Sequence, residues 1–188
     1  MTKVLNLSLV NLKKRNKGRK SMDILKNLNS RLTIDSDLVE IVPGGEEDIK
    51  EVIEQSPIQL PEDYLTFLHA ISGNEGSGIS FLVDQDVDPD STLTIFIWSA
   101  SYSLDKLDEL SEAIPEDEFF DNAWMIGDDL GDFVYYYAEG KEGFGLYRDE
   151  AGILCIEKAE KIADSLTDFL VKGIGIDVAI TYPIRKRN

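Results

Sequence analysis

Apolar positions recur at helical spacing through the first seventy residues and switch to a strand-like rhythm after residue 78. Ser21 is placed to cap a helix running to about Leu32, with Ile24, Leu25, Leu28 and Leu32 on one face. Gly44-Gly45 breaks the chain, and Glu46, Glu47 and Asp48 then stand in a first turn, where carboxylates meet the positive end of the helix dipole. Ile49, Val52 and Ile53 form the apolar stripe of that helix, and Pro57 ends it. A third helix opens at Pro61, whose missing N–H has no partner at the first helical position in any case. Tyr64, Leu65, Phe67, Leu68 and Ile71 make one continuous apolar face, and Gly73 is expected to close the helix in a left-handed conformation.

Beyond this point β-branched and aromatic residues dominate. Strands are predicted over Ile79 to Val83 and Thr92 to Trp98, with Asp88-Pro89-Asp90 as the turn between them. Leu104, Leu107 and Leu110 mark a helix. Further strands follow over Trp124 to Ile126, Phe133 to Tyr137, Phe144 to Arg148 and Ile153 to Ile156, joined by short connections that contain glycine. Ser165-x-x-Asp168 opens a last helix that carries Leu166, Phe169, Leu170 and Val171. The pattern predicts an α+β fold with helices packed on a mostly antiparallel sheet, a hairpin meander.

Composition sharpens this picture. The chain has 188 residues, 43% of them hydrophobic, which suffices for a core without covalent staples. Its one cysteine, Cys155, excludes an intrachain disulfide and a cysteine-rich zinc site, and it is expected to be packed in an apolar strand. No apolar run reaches membrane-spanning length, and the chain is expected to be cytoplasmic. Charge divides the chain into three parts. Residues 1–31 form a basic N-terminal extension with a short helix, nine Lys/Arg against one acid; residues 32–184 form a single acidic domain, seven bases against 35 acids; residues 185–188 form a basic tail. The acidic body repels nucleic-acid phosphates and favours a basic partner. The basic cluster Lys13 to Lys20 has no interleaved aromatic to stack on bases and follows its apolar run, unlike an export signal. Neither nucleic-acid nor membrane binding is expected; the cluster reads as an arm, an upstream extension or a segment that folds back on the acidic body.

Catalytic chemistry is hard to find. His69, the sole histidine, has no nucleophile or orienting group at a recognisable spacing, and there is no phosphate-binding glycine loop. Asp128 to Glu139 has the length of a calcium loop, yet Leu130 and Phe133 occupy the third and sixth positions, so no metal and no cofactor are expected. Tyr135-Tyr136-Tyr137 reads as a strand with alternate rings on opposite faces of a sheet rather than as a stacking platform.

Three segments, taken in order, resemble the SUKH superfamily, the Smi/Knr family. Ser56 to Leu68 followed by Ser72-Gly73 is similar to its leucine–proline–x–aspartate–tyrosine opening, with Leu60, Pro61, Tyr64, Phe67, Leu68 and Gly73 at the motif positions. Ile126 to Phe133 resembles its glycine turn, with Gly127 and Gly131 in place and Leu130 where paired glycines are common. Ala163 to Leu170 resembles its closing helix, with Phe169 and Leu170 matched and Leu166 in place of the usual aromatic residue. The resemblance spans about residues 45 to 172. It implies an α+β domain without a catalytic site. It also implies an immunity protein of a polymorphic or contact-dependent toxin system, which binds a toxin domain, often a nuclease, and blocks it.

An inhibitor of that kind would present its acids to the basic cleft of the toxin. The candidate contacts are Asp84, Asp86, Asp88, Asp90, Asp128, Asp129 and Asp132, with Trp98 if it is exposed. Two other expectations compete with this one: a regulatory scaffold of the Smi/Knr type with no toxin partner, and a carboxylate-dependent hydrolase.

Overall fold

A computed structural model describes residues 23–35, 41–73, 76–84, 93–113 and 118–181. Seven strands, β1 (Leu32–Ile34), β2 (Gly78–Val83), β3 (Leu93–Trp98), β4 (Ala123–Asp128), β5 (Phe133–Gly140), β6 (Gly143–Glu150) and β7 (Glu160–Ala163), form one sheet. Each strand pairs antiparallel with its neighbour in sequence, so the sheet order is the chain order. Among the described residues five α-helices accompany it: α1 (Glu46–Gln55), α2 (Glu62–Ile71), α3 (Ala100–Ala113), α4 (Leu166–Leu170) and α5 (Ile176–Ile180). The antiparallel meander with flanking helices is the α+β architecture expected from the pattern.

Both faces of the sheet are buried, and the three consecutive tyrosines of β5 show how. Tyr135 and Tyr137 join the larger core beneath Ile49 and Val52 of α1, Tyr64, Phe67 and Leu68 of α2, and Phe169 of α4. Tyr136 points the other way, into a cluster with Trp98, Met125, Tyr147 and Phe119, which Tyr102 and Leu110 of α3 cover. The period-two alternation of a strand thus sends aromatic neighbours into two separate cores.

Four local expectations are corrected. Residues 21–32 do not make the expected helix: the described part holds a 3-10 turn at Ile24–Lys26 and strand β1 from Leu32. The Asn29 side chain accepts from Arg31 N–H at 3.1 Å, a local alternative to helical bonding, and the Asn29 backbone N–H donates to Leu170 O at 2.8 Å. Ile153 to Ile156 is not a strand. The Asp149 carboxylate accepts from Cys155 N–H at 2.7 Å, which folds the segment into turns, and leaves Ile153 70% exposed and Cys155 only half-buried. The final strand is β7, in a stretch with no alternating pattern. In α1, Ile49 and Val52 are buried, whereas Ile53 faces solvent.

The fourth correction concerns Gly73. It is not left-handed; the helix end is taken by Ser72, and a Cβ at Gly73 would sit 2.1 Å from the Pro43 carbonyl oxygen. Close backbone approach, sealed by Gly73 N–H donating to Val42 O at 2.7 Å, is what requires glycine there.

Candidate protein-interaction surface

The turn between β4 and β5 collects three of the seven acids singled out in the sequence, Asp128, Asp129 and Asp132. Asp128 accepts from the Trp98 indole N–H at 2.9 Å through Oδ2 and from Leu130 N–H at 2.8 Å through Oδ1. Asp129 Oδ1 accepts from Gly131 N–H at 2.8 Å and from Phe133 N–H at 3.0 Å. Both carboxylates therefore bind their own turn, the role that short acidic side chains take in Asx turns. Burial pushes the Asp128 carboxyl above its ordinary value, against the pull of the Leu130 and Trp98 donors. Asp132 is exposed, and so is Asp84 at the end of β2. Asp86, Asp88 and Asp90 lie outside the described residues.

Trp98 does not meet the condition set for it. It is 2% exposed, edge-on to Tyr102 with ring centroids 5.8 Å apart, and its only polar atom is spent on Asp128. It is a core residue of the second face, excluded from any contact surface.

Sequence reasoning missed the apolar members of this region. Leu130 adopts φ 58°, the only left-handed non-glycine among the described residues, and is 61% exposed. The left-handed bend of the turn falls on this leucine, while neither Gly127 nor Gly131 has positive φ. Ile153, also exposed, belongs to the neighbouring turn, which Ala151 N–H ties to Asp132 O at 2.8 Å. Two exposed aliphatic side chains thus stand on linked turns beside Asp132. The signal for Leu130 was in the sequence, as a leucine where the resembled motif favours glycine.

The motif residues are structural. Leu60, Tyr64, Phe67, Leu68, Phe169 and Leu170 are buried in the larger core, and Pro61 occupies the cap position just before α2. Gly127 lies at the narrow junction of β3 and β4, beside a register shift in β4, and a Cβ there would meet the Phe96 carbonyl oxygen at 2.2 Å. Arg148, which the sequence did not single out, is buried with its guanidinium 4.6 Å from the Phe133 ring. It donates to Ala179 O at 3.0 Å and Thr181 O at 2.6 Å, capping the carboxyl end of α5, and pairs with Glu160 at 2.7 Å.

His69 is exposed, and its ring meets the Glu46 carboxylate at 3.0 Å. Among the described residues no group of His, Cys, Asp and Glu has the geometry to hold a metal ion, and no helix is long and apolar enough to cross a membrane.

No curated protein and no solved structure matches the chain. One family model does, over residues 43–172, a span that holds α1 to α4, strands β2 to β7 and all three motif segments. The chain belongs to the SMI1/KNR4 family (SUKH-1), a family of protein-interaction and immunity domains.

Proposed function

We propose that the protein is a non-catalytic immunity protein that binds a cognate toxin domain and neutralises it by covering its active cleft. The observation that carries this reading is the charge of residues 32–184, seven bases against 35 acids, on a family scaffold of protein-interaction and immunity domains. A nuclease cleft is basic because it must hold phosphates, and an acidic surface competes for it while steering the encounter. Among the described residues Asp84 and Asp132 are the exposed acids of the candidate set, and Leu130 and Ile153 offer the apolar contact area from which most affinity derives. Asp128 and Asp129 act indirectly, by shaping the turn that presents Leu130.

Co-expression with the toxin encoded beside this gene tests the reading. Survival of the host with the wild-type chain, and a stable complex on gel filtration, are the expected results. Killing that persists while folded inhibitor is present overturns it. Capture of several host proteins with no toxin among them moves the assignment to a regulatory scaffold.

A further inference from the structure

A concave surface lies at the far end of β5 from the acidic turn. Phe133 and Glu139 are six residues apart on one strand, which separates the two surfaces by roughly 20 Å. Here the segment leading into α2 faces the β5–β6 hairpin across a groove of about 520 Å³. Ile58, Pro61 and Phe144 line it with half-buried apolar surface, and Phe144 is held in place by stacking on Tyr137 at 5.9 Å. Glu62, Glu139 and Asp164 stand at its margin. Asp164 is already paired with Lys161 at 2.6 Å, whereas Glu62 and Glu139 are exposed and form no ion pair among the described residues. Glu62 also lies in the first turn of α2, which accounts for its charge but not for that of Glu139 on the facing hairpin.

A partly apolar groove with two unneutralised carboxylates, one from α2 and one from β5, selects one kind of occupant. We propose that this groove binds an extended segment of a basic protein partner, with one aromatic or aliphatic side chain on Ile58, Pro61 and Phe144 and flanking Lys or Arg side chains on Glu62 and Glu139. The groove gives the partner of the proposed immunity function a second contact, and it rests on that reading only for the partner's basic character. The apolar side chain supplies most of the affinity and the charges fix its direction across the groove.

The test uses the full chain, labelled with ¹⁵N, and acetyl-Lys-Arg-Phe-Lys-Arg-amide as the probe at low ionic strength. Amide shifts should saturate at Gln59, Glu62, Glu139 and Phe144 and leave Leu130 to Asp132 unmoved. Replacing the central Phe of the probe by Gly should weaken binding about tenfold or more, as expected for loss of a buried aromatic side chain. The double variant Glu62→Gln/Glu139→Gln should weaken it about fivefold, and less as salt is raised. Equal affinity for the Gly probe, or shifts spread over the whole acidic surface, would overturn the proposal as mere charge adsorption. Groove amides that shift when residues 1–20 are deleted, with no probe present, would overturn it in favour of the chain's own basic segment. No toxin enters this assay, so it can fail while neutralisation succeeds, and the reverse.

Discussion

Asp63 and Thr167 are 104 positions apart in the chain and meet at 2.8 Å, the Asp63 carboxylate accepting the Thr167 N–H at the start of α4. The same carboxylate accepts from Tyr64 N–H at 3.0 Å, so one side chain joins the opening motif of the family to its closing helix. Around this bond Tyr64 packs on Tyr137 at 5.8 Å and Tyr135 on Phe169 at 6.2 Å, so both helices rest on the same face of β5. The motif acid is thus a clasp. Asp63→Ala should lower stability by about 2 kcal/mol, the range for hydrogen bonds to a charged group, and should leave partner affinity unchanged. Urea unfolding and a binding isotherm separate the two effects.

Gly127→Ala should be the more damaging substitution. The added methyl has backbone rather than a flexible side chain in its way, at the Phe96 carbonyl oxygen, so β3 and β4 must part. A loss of about 3 kcal/mol or failure to fold is expected, read from thermal unfolding and from soluble yield.

Leu130→Gly should have the opposite sign. A leucine in the left-handed region costs about 1 kcal/mol relative to glycine, so the variant should be more stable by roughly that amount. If Leu130 contacts the protein partner, the stabilised variant should also bind it more weakly. Stability without that loss would remove Leu130 from the interface.

Arg148 anchors α5 chiefly through the two carbonyl oxygens it satisfies, since its ionic partner Glu160 is largely exposed. Arg148→Met leaves the Ala179 and Thr181 carbonyls without that donor and should cost about 3 kcal/mol. Faster amide exchange confined first to α5 and its junction with β7 is the expected signature.

The raised Asp128 carboxyl sets a direction for pH dependence. A proton is held more tightly in the folded chain than at the ordinary value of 3.8. Its contribution to stability is therefore greatest at low pH and declines as pH rises from that value through the folded pKa. The stability of the wild type minus that of Asp128→Asn should fall between pH 4 and pH 7, measured by urea unfolding at each pH. A difference that rises over this interval would contradict the burial of the group.

Much of this fold was legible because strongly periodic segments kept their local preference in the tertiary setting. The apolar face of α2 and the alternating tyrosines of β5 lie where their spacing put them. The misread segments are those in which a side chain competes with the backbone or a neighbour decides the state. Asn29 turns the chain before β1, Asp149 folds the stretch around Cys155, and β7 exists only because β6 offers it an edge. The candidate surface was half legible: acids are visible in any sequence, but which of them bend inward is a matter of hydrogen-bond geometry. Asp128 and Asp129 turn to their own loop, Trp98 turns to the core, and Leu130 takes the exposed position instead.

Only two residue pairs, Phe96 with Asp128 and Ile97 with Gly127, join β3 to β4, against eight between β5 and β6. The sheet is accordingly two leaves stitched at one point. Residues at the stitch are constrained by backbone contact and have little room to vary. The margins of each leaf are not, so descendants can retarget one rim to a new protein partner while the opposite leaf and the stitch stay as they are.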